Sequence, residues 1–275
     1  MDTLWYPPAL ACYMAASAGF IVDRFSGTYR WTRSATVALA AGAGFQAVDL
    51  LVRGIRAGNI PVANFEESLA FLAWLTALAG LVLIVRFRMA VIGALVGSAV
   101  TIAGGVAYVT MRHARLVLPE ALRSVWLPIH VTLAFLGYAM FALAAVVSLT
   151  YLLYESRLKS KRPVGPPEAG LPSLEKLDRV NYRLLAWGFL MLSLAIVTGA
   201  IWADSTWGHF WSWDPTETWS FVIWMLYAAL LESRLTVGWR GRRAAALTIV
   251  VFTLLVGSFV GVSLMFPGKH TGSFG

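Results

Sequence analysis

The stretch WGHFWSWDPTETW, residues 207–219, gathers Trp207, Trp211, Trp213 and Trp219 around two carboxylates, Asp214 and Glu217. Trp202 precedes it and Trp224 follows it, so six of the chain's 12 tryptophans fall within 23 residues. Clustered indoles present broad apolar faces and one N–H each, which suits a large flat apolar ligand held at a water boundary. An interfacial aromatic belt also uses Trp, but a belt spreads over many helix ends, and these rings share one segment. Asp214-Pro215-Thr216-Glu217 also reads as a helix start, with Asp214 at the N-cap, Pro215 at N1 and Glu217 at N3 of a capping box. Imidazole, the commonest metal ligand, is supplied by His113, His130, His209 and His270. No nucleophile or acid–base pair of the usual type accompanies them. Cys12 is the single cysteine. That excludes an intramolecular disulfide, a CxxC redox pair and a cysteine zinc site, and the chain has no CxxCH of its own.

The elements that must position these groups are membrane spans. The chain is 59% hydrophobic, 13% charged and has a mean hydropathy of +0.70, whereas a soluble domain carries about 25% charge. Apolar runs of spanning length predict an all-α polytopic membrane protein of about eight helices, near 4–22, 35–52, 66–85, 89–110, 128–154, 184–203, 217–233 and 245–266. Pro7 and Pro8 weaken the start of the first run, and Asp49, Glu66 and Glu67 sit at the ends of the second and third. In the loops this reading creates, 16 of the 22 Lys and Arg residues fall on one side, which the positive-inside rule makes cytoplasmic. Both termini and the tryptophan loop, 202–219, then lie outside. The net charge of +8 follows from this asymmetry and implies no nucleic-acid partner.

The chain reads as one integral membrane domain, 1–275, in a lipid bilayer, without an internal repeat. The start lacks a basic n-region and carries Asp2, so no cleavable signal is expected. Residues 156–183 hold the Pro- and Gly-rich KSKRPVGPPEAGLPS, a cytoplasmic linker. SLEKLDRVNYRLL, after it, reads as a short helix on the membrane surface. Asn64 and Glu67 read as N-cap and N3 of the third helix.

This topology brings two imidazoles to the tryptophan loop. His130, in WLPIHV, opens the fifth helix on the outside, and His270 follows the eighth, also outside. Two axial nitrogens flanking an aromatic shelf are what a haem requires. His113, between Arg112 and Arg115, reads as solvated, and His209 as a variable position within the loop.

The loop resembles the WWD signature of haem-handling proteins, of the form WGxxWxWDPxExW. With GAIWADSTWG, WLPIHV and NFEES, it is similar to the CcsA/ResC family of System II cytochrome c biogenesis, a family also called CcsB in some bacteria. The resemblance runs from about residue 60 to the C-terminus, more weakly before it. It implies haem b as substrate, with His130 and His270 as axial ligands and Trp207, Gly208, Trp211, Trp213, Asp214, Pro215, Glu217 and Trp219 as the presenting loop. It also implies a bacterial cytoplasmic (inner) membrane, a ResB/CcsB-like partner, and an apocytochrome c whose CxxCH thiols receive the haem vinyl groups. On this account the chain is the haem-presenting subunit of a cytochrome c haem lyase, or synthase, complex.

Three positions depart from the family pattern. Glu232 stands where a histidine in YxxYLHxR would ligate haem inside the membrane. Thr216 replaces a lysine, and the end reads HTGSFG. Glu232 reads either as an altered inner site or as an interfacial carboxylate paired with Arg234. Two other functions stay open: a HemX-like haem-binding regulator or scaffold, and a haem exporter without synthase activity. The intact loop and outer histidines favour the synthase, and a ResB-like neighbouring gene would discriminate.

Overall fold

A computed structural model describes residues 4–27, 30–58, 61–62, 64–87, 90–110, 124–160 and 173–265, with side chains as far as Val262. His113, His270 and most of the Pro-rich segment lie outside these residues. Eight helices make up the described chain: α1 (Tyr6–Ser26), α2 (Thr32–Ala57), α3 (Phe65–Phe87), α4 (Ala90–Thr110), α5 (Trp126–Lys159), α6 (Leu174–Trp207), α7 (Pro215–Leu235) and α8 (Arg242–Met265). Six of them, all but α1 and α7, are long and apolar enough to cross a membrane by length and composition.

Local chemistry fixes several helix ends near the predicted positions, whereas α6 begins at Leu174 rather than near 184 and α2 and α5 run about five residues past their predicted ends. Pro7 and Pro8 occupy the first turn of α1, where no backbone N–H partner is lost. Asn64 Oδ1 accepts the Glu67 N–H at 2.8 Å and so caps α3. The buried Asp23 closes the α1–α2 turn by accepting the Trp31 N–H at 3.1 Å and the Thr32 hydroxyl at 2.7 Å. Asp49 fits an apolar helix because it is buried against Arg53, one turn on, at 2.7 Å. A charge pair at this depth is costly unless matched.

Helices α1–α4 pack as one group and α5–α8 as another, with α5 common to both through its contacts with α3, α4, α6 and α8. The α5–α6 pair is held close by small residues. A Cβ on Gly137 would lie 3.1 Å from the Gly188 carbonyl, and one on Gly188 would lie 2.6 Å from the Phe141 ring. Close backbone approach of this kind replaces the hydrophobic drive that lipid cannot supply. Phe141 then stacks on Tyr227 of α7 at 3.5 Å.

The segment read as a surface helix is the first three turns of α6 and its N-cap, Ser173. Glu175, Lys176, Arg179 and Arg183 are exposed, but Asn181 is buried and Asp178 half-buried, because these two knit four helices together. Asn181 donates to Ser148 Oγ at 2.8 Å and to the Ala144 carbonyl at 3.1 Å, and its Oδ1 accepts from Arg234 at 3.1 Å. Arg234, 6% exposed, pairs with Asp178 at 2.9 Å. The other oxygen of Asp178 accepts the Gly241 N–H at 2.9 Å and pins the α7–α8 turn. Helix also takes in 156–159 and 174–183 of the stretch read as linker, which shortens the connection to 160–173.

Candidate haem-handling site

The tryptophan loop is short, taut and internally bonded. Gly208 ends α6 in the left-handed region, φ 76°, with its N–H on the Asp204 carbonyl at 2.9 Å. Trp213, at φ 58°, is the non-glycine residue with positive φ among the described residues. An L side chain in that region costs on the order of 1–2 kcal/mol, so the surrounding bonds must enforce it. Asp214 Oδ1 accepts the Glu217 N–H at 2.8 Å, the expected N-cap of α7. Pro215 occupies N1. Glu217 reaches back two residues beyond the cap, taking the Ser212 N–H at 2.7 Å and the Ser212 hydroxyl at 3.2 Å. Both carboxylates therefore hold the loop's shape.

The rings are dispersed around this frame. Trp211 meets Trp213 edge-on at 5.8 Å, and Trp213 is 70% exposed at the tip. Trp202 is 2% exposed; it stacks on His130 at 6.2 Å and 19° and meets Trp207 edge-on at 4.9 Å. Trp224 does not belong to the loop. Its Nε1 donates to Ser193 Oγ at 2.8 Å and its ring lies on Phe189 at 5.2 Å, inside the α6–α7 interface. Helical periodicity carries position 224 more than two turns past the start of α7 and onto the α6 side.

Two clefts flank the first turns of α7. One is lined by His130 of α5, Ala195 and Gly199 of α6, and Phe210, Trp211 and Glu217 of the loop and α7. The other lies between α3, α7 and α8, lined by Asn64, Ser68, Trp219, Ser258 and Phe259. They abut at Tyr138, Thr216 and Ser220, which line both. His130, Trp211 and Glu217 thus share one cleft, and Trp219 faces the neighbouring one.

Within the first cleft the His130 tautomer is set. Nδ1 lies 2.7 Å from the Ala195 carbonyl, which can only accept, so Nδ1 carries a proton and the neutral ring keeps its lone pair on Nε2. The Trp211 Nε1 is buried without a hydrogen-bond partner, as is the Nδ1 of His209. A buried unpaired indole N–H is unusual and suits an acceptor atom brought by a ligand. The sequence reading did not single out Gly199, Ala195, Ser212 or Tyr138. The small-residue spacing Ala195, Gly199, Ala203 on one face of α6 was the available signal.

Glu232 is exposed near the other end of α7. Its expected partner Arg234 points into the bundle toward Asp178 and Asn181. Two residues along a helix turn the side chain by about 200°, so the 232–234 pair cannot form. Among the described residues no ion pair reaches Glu232.

Fold and site together define a polytopic helical membrane protein with an aromatic, histidine-bearing cleft beneath one interhelical loop. Residues 62–270 match the cytochrome c assembly protein family. The chain is 33% identical over 246 residues to the cytochrome c biogenesis protein CcsA of a Synechococcus strain, covering 81% of each chain. It is 34% identical over 232 residues to CcsA of Chlamydomonas reinhardtii, covering 82% of this chain and 64% of that one. The chain belongs to the cytochrome c assembly family. Its fold is that of a solved structure named cytochrome c heme lyase CcmF, with TM-score 0.67, 18% identity and coverage of 94% of this chain and 46% of the other.

Proposed function

We propose that this chain binds haem b beneath the tryptophan loop and presents it for covalent attachment to apocytochrome c. The observation that carries the reading is the His130 imidazole, held by its Nδ1–H on the Ala195 carbonyl, in a cleft whose Trp211 N–H lacks a partner. The residues fit a haem. His130 is one axial ligand, Trp211 offers its N–H to a propionate oxygen, and His270, on the segment that follows α8, is the second ligand.

The clefts measure about 100 and 180 Å³, below the roughly 300–1,000 Å³ of an enclosing ligand pocket. A haem on His130 would therefore run across the Tyr138–Thr216–Ser220 seam and leave an edge exposed at the loop. An exposed edge serves presentation, because the vinyl groups must meet two thiols on another protein. When bound, the haem supplies the iron and the vinyl groups. The chain's own part is to orient the ring, shield its faces with indoles and hold it still, and orientation alone can supply several kcal/mol of a reaction's barrier.

The loop and both termini lie on the outer face of a bacterial cytoplasmic membrane, where the apocytochrome arrives with a ResB/CcsB-like partner. Co-expression with such a partner and a CxxCH apocytochrome tests the whole reading. Covalent haem on the apocytochrome that disappears with His130→Ala is the expected result. Haem bound to this chain with no covalent product would instead place it with scaffolds or exporters.

A further inference from the structure

The geometry points to Gly199 as the positioning residue that seats His130 for iron, acting with the Ala195 carbonyl and the Trp202 ring. This inference rests on the haem-ligand reading of His130. Positions 195, 199 and 202 lie at i, i+4 and i+7 of α6, on one face. Each touches a different part of the same imidazole. The Ala195 carbonyl takes the Nδ1–H at 2.7 Å. The Trp202 indole lies nearly parallel to the ring, 6.2 Å away at 19°. Gly199 supplies the room: a Cβ there would sit 2.7 Å from both Cε1 and Nδ1 of His130. Side-chain carbons do not approach so closely, and the obstacle is a ring wedged between a carbonyl and an indole rather than a flexible tip. Any side chain at 199 must push the imidazole off α6 and break the bond to Ala195.

The consequence is chemical as well as steric. An imidazole whose Nδ1–H is bound to a carbonyl is fixed in the tautomer that offers Nε2, and it is the more basic donor to iron. Partners of this kind are commonly worth 10–100-fold in metal affinity. Released from α6, His130 would sample both tautomers and several rotamers, and a six-coordinate low-spin haem would become a mixture.

Gly199→Ala tests this on the purified full-length protein, titrated with iron protoporphyrin IX and read by its visible spectrum. Alanine is the better helix former, so intrinsic helix propensity cannot account for a loss. The expected result is a 10–100-fold weaker haem affinity and loss of the low-spin signature, with yield and thermal melting unchanged and the signature restored by added imidazole. Gly105→Ala is the control, because a Cβ there meets nothing within 4 Å. In the double variant with His130→Ala, the Gly199 substitution should cost nothing further. Where Gly199→Ala lowers yield and melting so far that binding cannot be read, Gly199→Ser in the His130→Ala background decides. Normal folding there supports the inference, since the clash has been removed, and continued misfolding overturns it. Wild-type affinity and spectrum in Gly199→Ala, beside a clear loss in His130→Ala, would overturn the positioning role alone. A wild-type protein that binds no low-spin haem would overturn the underlying reading, and that shows before any variant is made.

Discussion

Glu217 is the residue whose removal most directly probes how the loop is held. Its carboxylate accepts hydrogen bonds from the Ser212 N–H and hydroxyl, at 2.7 and 3.2 Å, around the strained Trp213. A hydrogen bond to a charged acceptor contributes about 1.5–3 kcal/mol, and Glu217→Ala also leaves the Ser212 N–H without this partner. Taking about 2 kcal/mol, the ratio of closed to open loop falls roughly 30-fold, since each 1.4 kcal/mol is a factor of ten. Asp214→Ala removes a helix cap worth about 1 kcal/mol, or roughly fivefold. Glu217→Gln keeps a neutral acceptor and should fall between wild type and Glu217→Ala. Chymotrypsin cleavage among the loop aromatics reads this directly, because cleavage of a transiently opened segment tracks its open population. The expected cleavage rates rise about 30-fold for Glu217→Ala and about fivefold for Asp214→Ala, with helix content unchanged. Wild-type cleavage in Glu217→Ala would refute the brace. Wild-type cleavage with lost cytochrome maturation in Glu217→Gln would mean that the carboxylate charge itself acts on the substrate.

Three other outcomes are expected. His130→Ala should weaken a low-spin b-type haem spectrum, His270→Ala likewise, and imidazole should restore each; an unchanged spectrum in the double variant would remove both as ligands. A reporter active only outside the cytoplasm should work after Gly208 and at Gly275 and fail at Gly165; the reverse pattern would invert the topology. Glu232→Ala should leave haem per protein and melting unaltered, because its side chain is exposed, whereas Arg234→Ala strands Asp178 and Asn181 and should cost about 3–5 kcal/mol. A loss of haem in Glu232→Ala at normal yield would make that carboxylate part of haem handling.

The sequence by itself determined the helices, because lipid tolerates so few backbone solutions that runs of apolar length are nearly sufficient. It determined the caps at Asn64 and Asp214, since those bonds join residues three apart. It marked the tryptophan loop by density alone. What lay beyond it were contacts between residues distant in the chain. SLEKLDRVNYRLL is polar enough to read as surface, yet Asp178 and Asn181 are consumed by partners 33 to 63 residues away. Glu232 and Arg234 are neighbours in the string and face opposite ways on the helix. Trp224 belongs by spacing to the loop and by packing to the α6–α7 interface. His130 was legible as an imidazole near the tryptophan loop, but the nitrogen that carries its proton was decided by a carbonyl 65 residues on, reached because position 199 has no side chain. A tautomer depends on a hydrogen-bond partner, and only the packing of α5 on α6 brings that partner within reach.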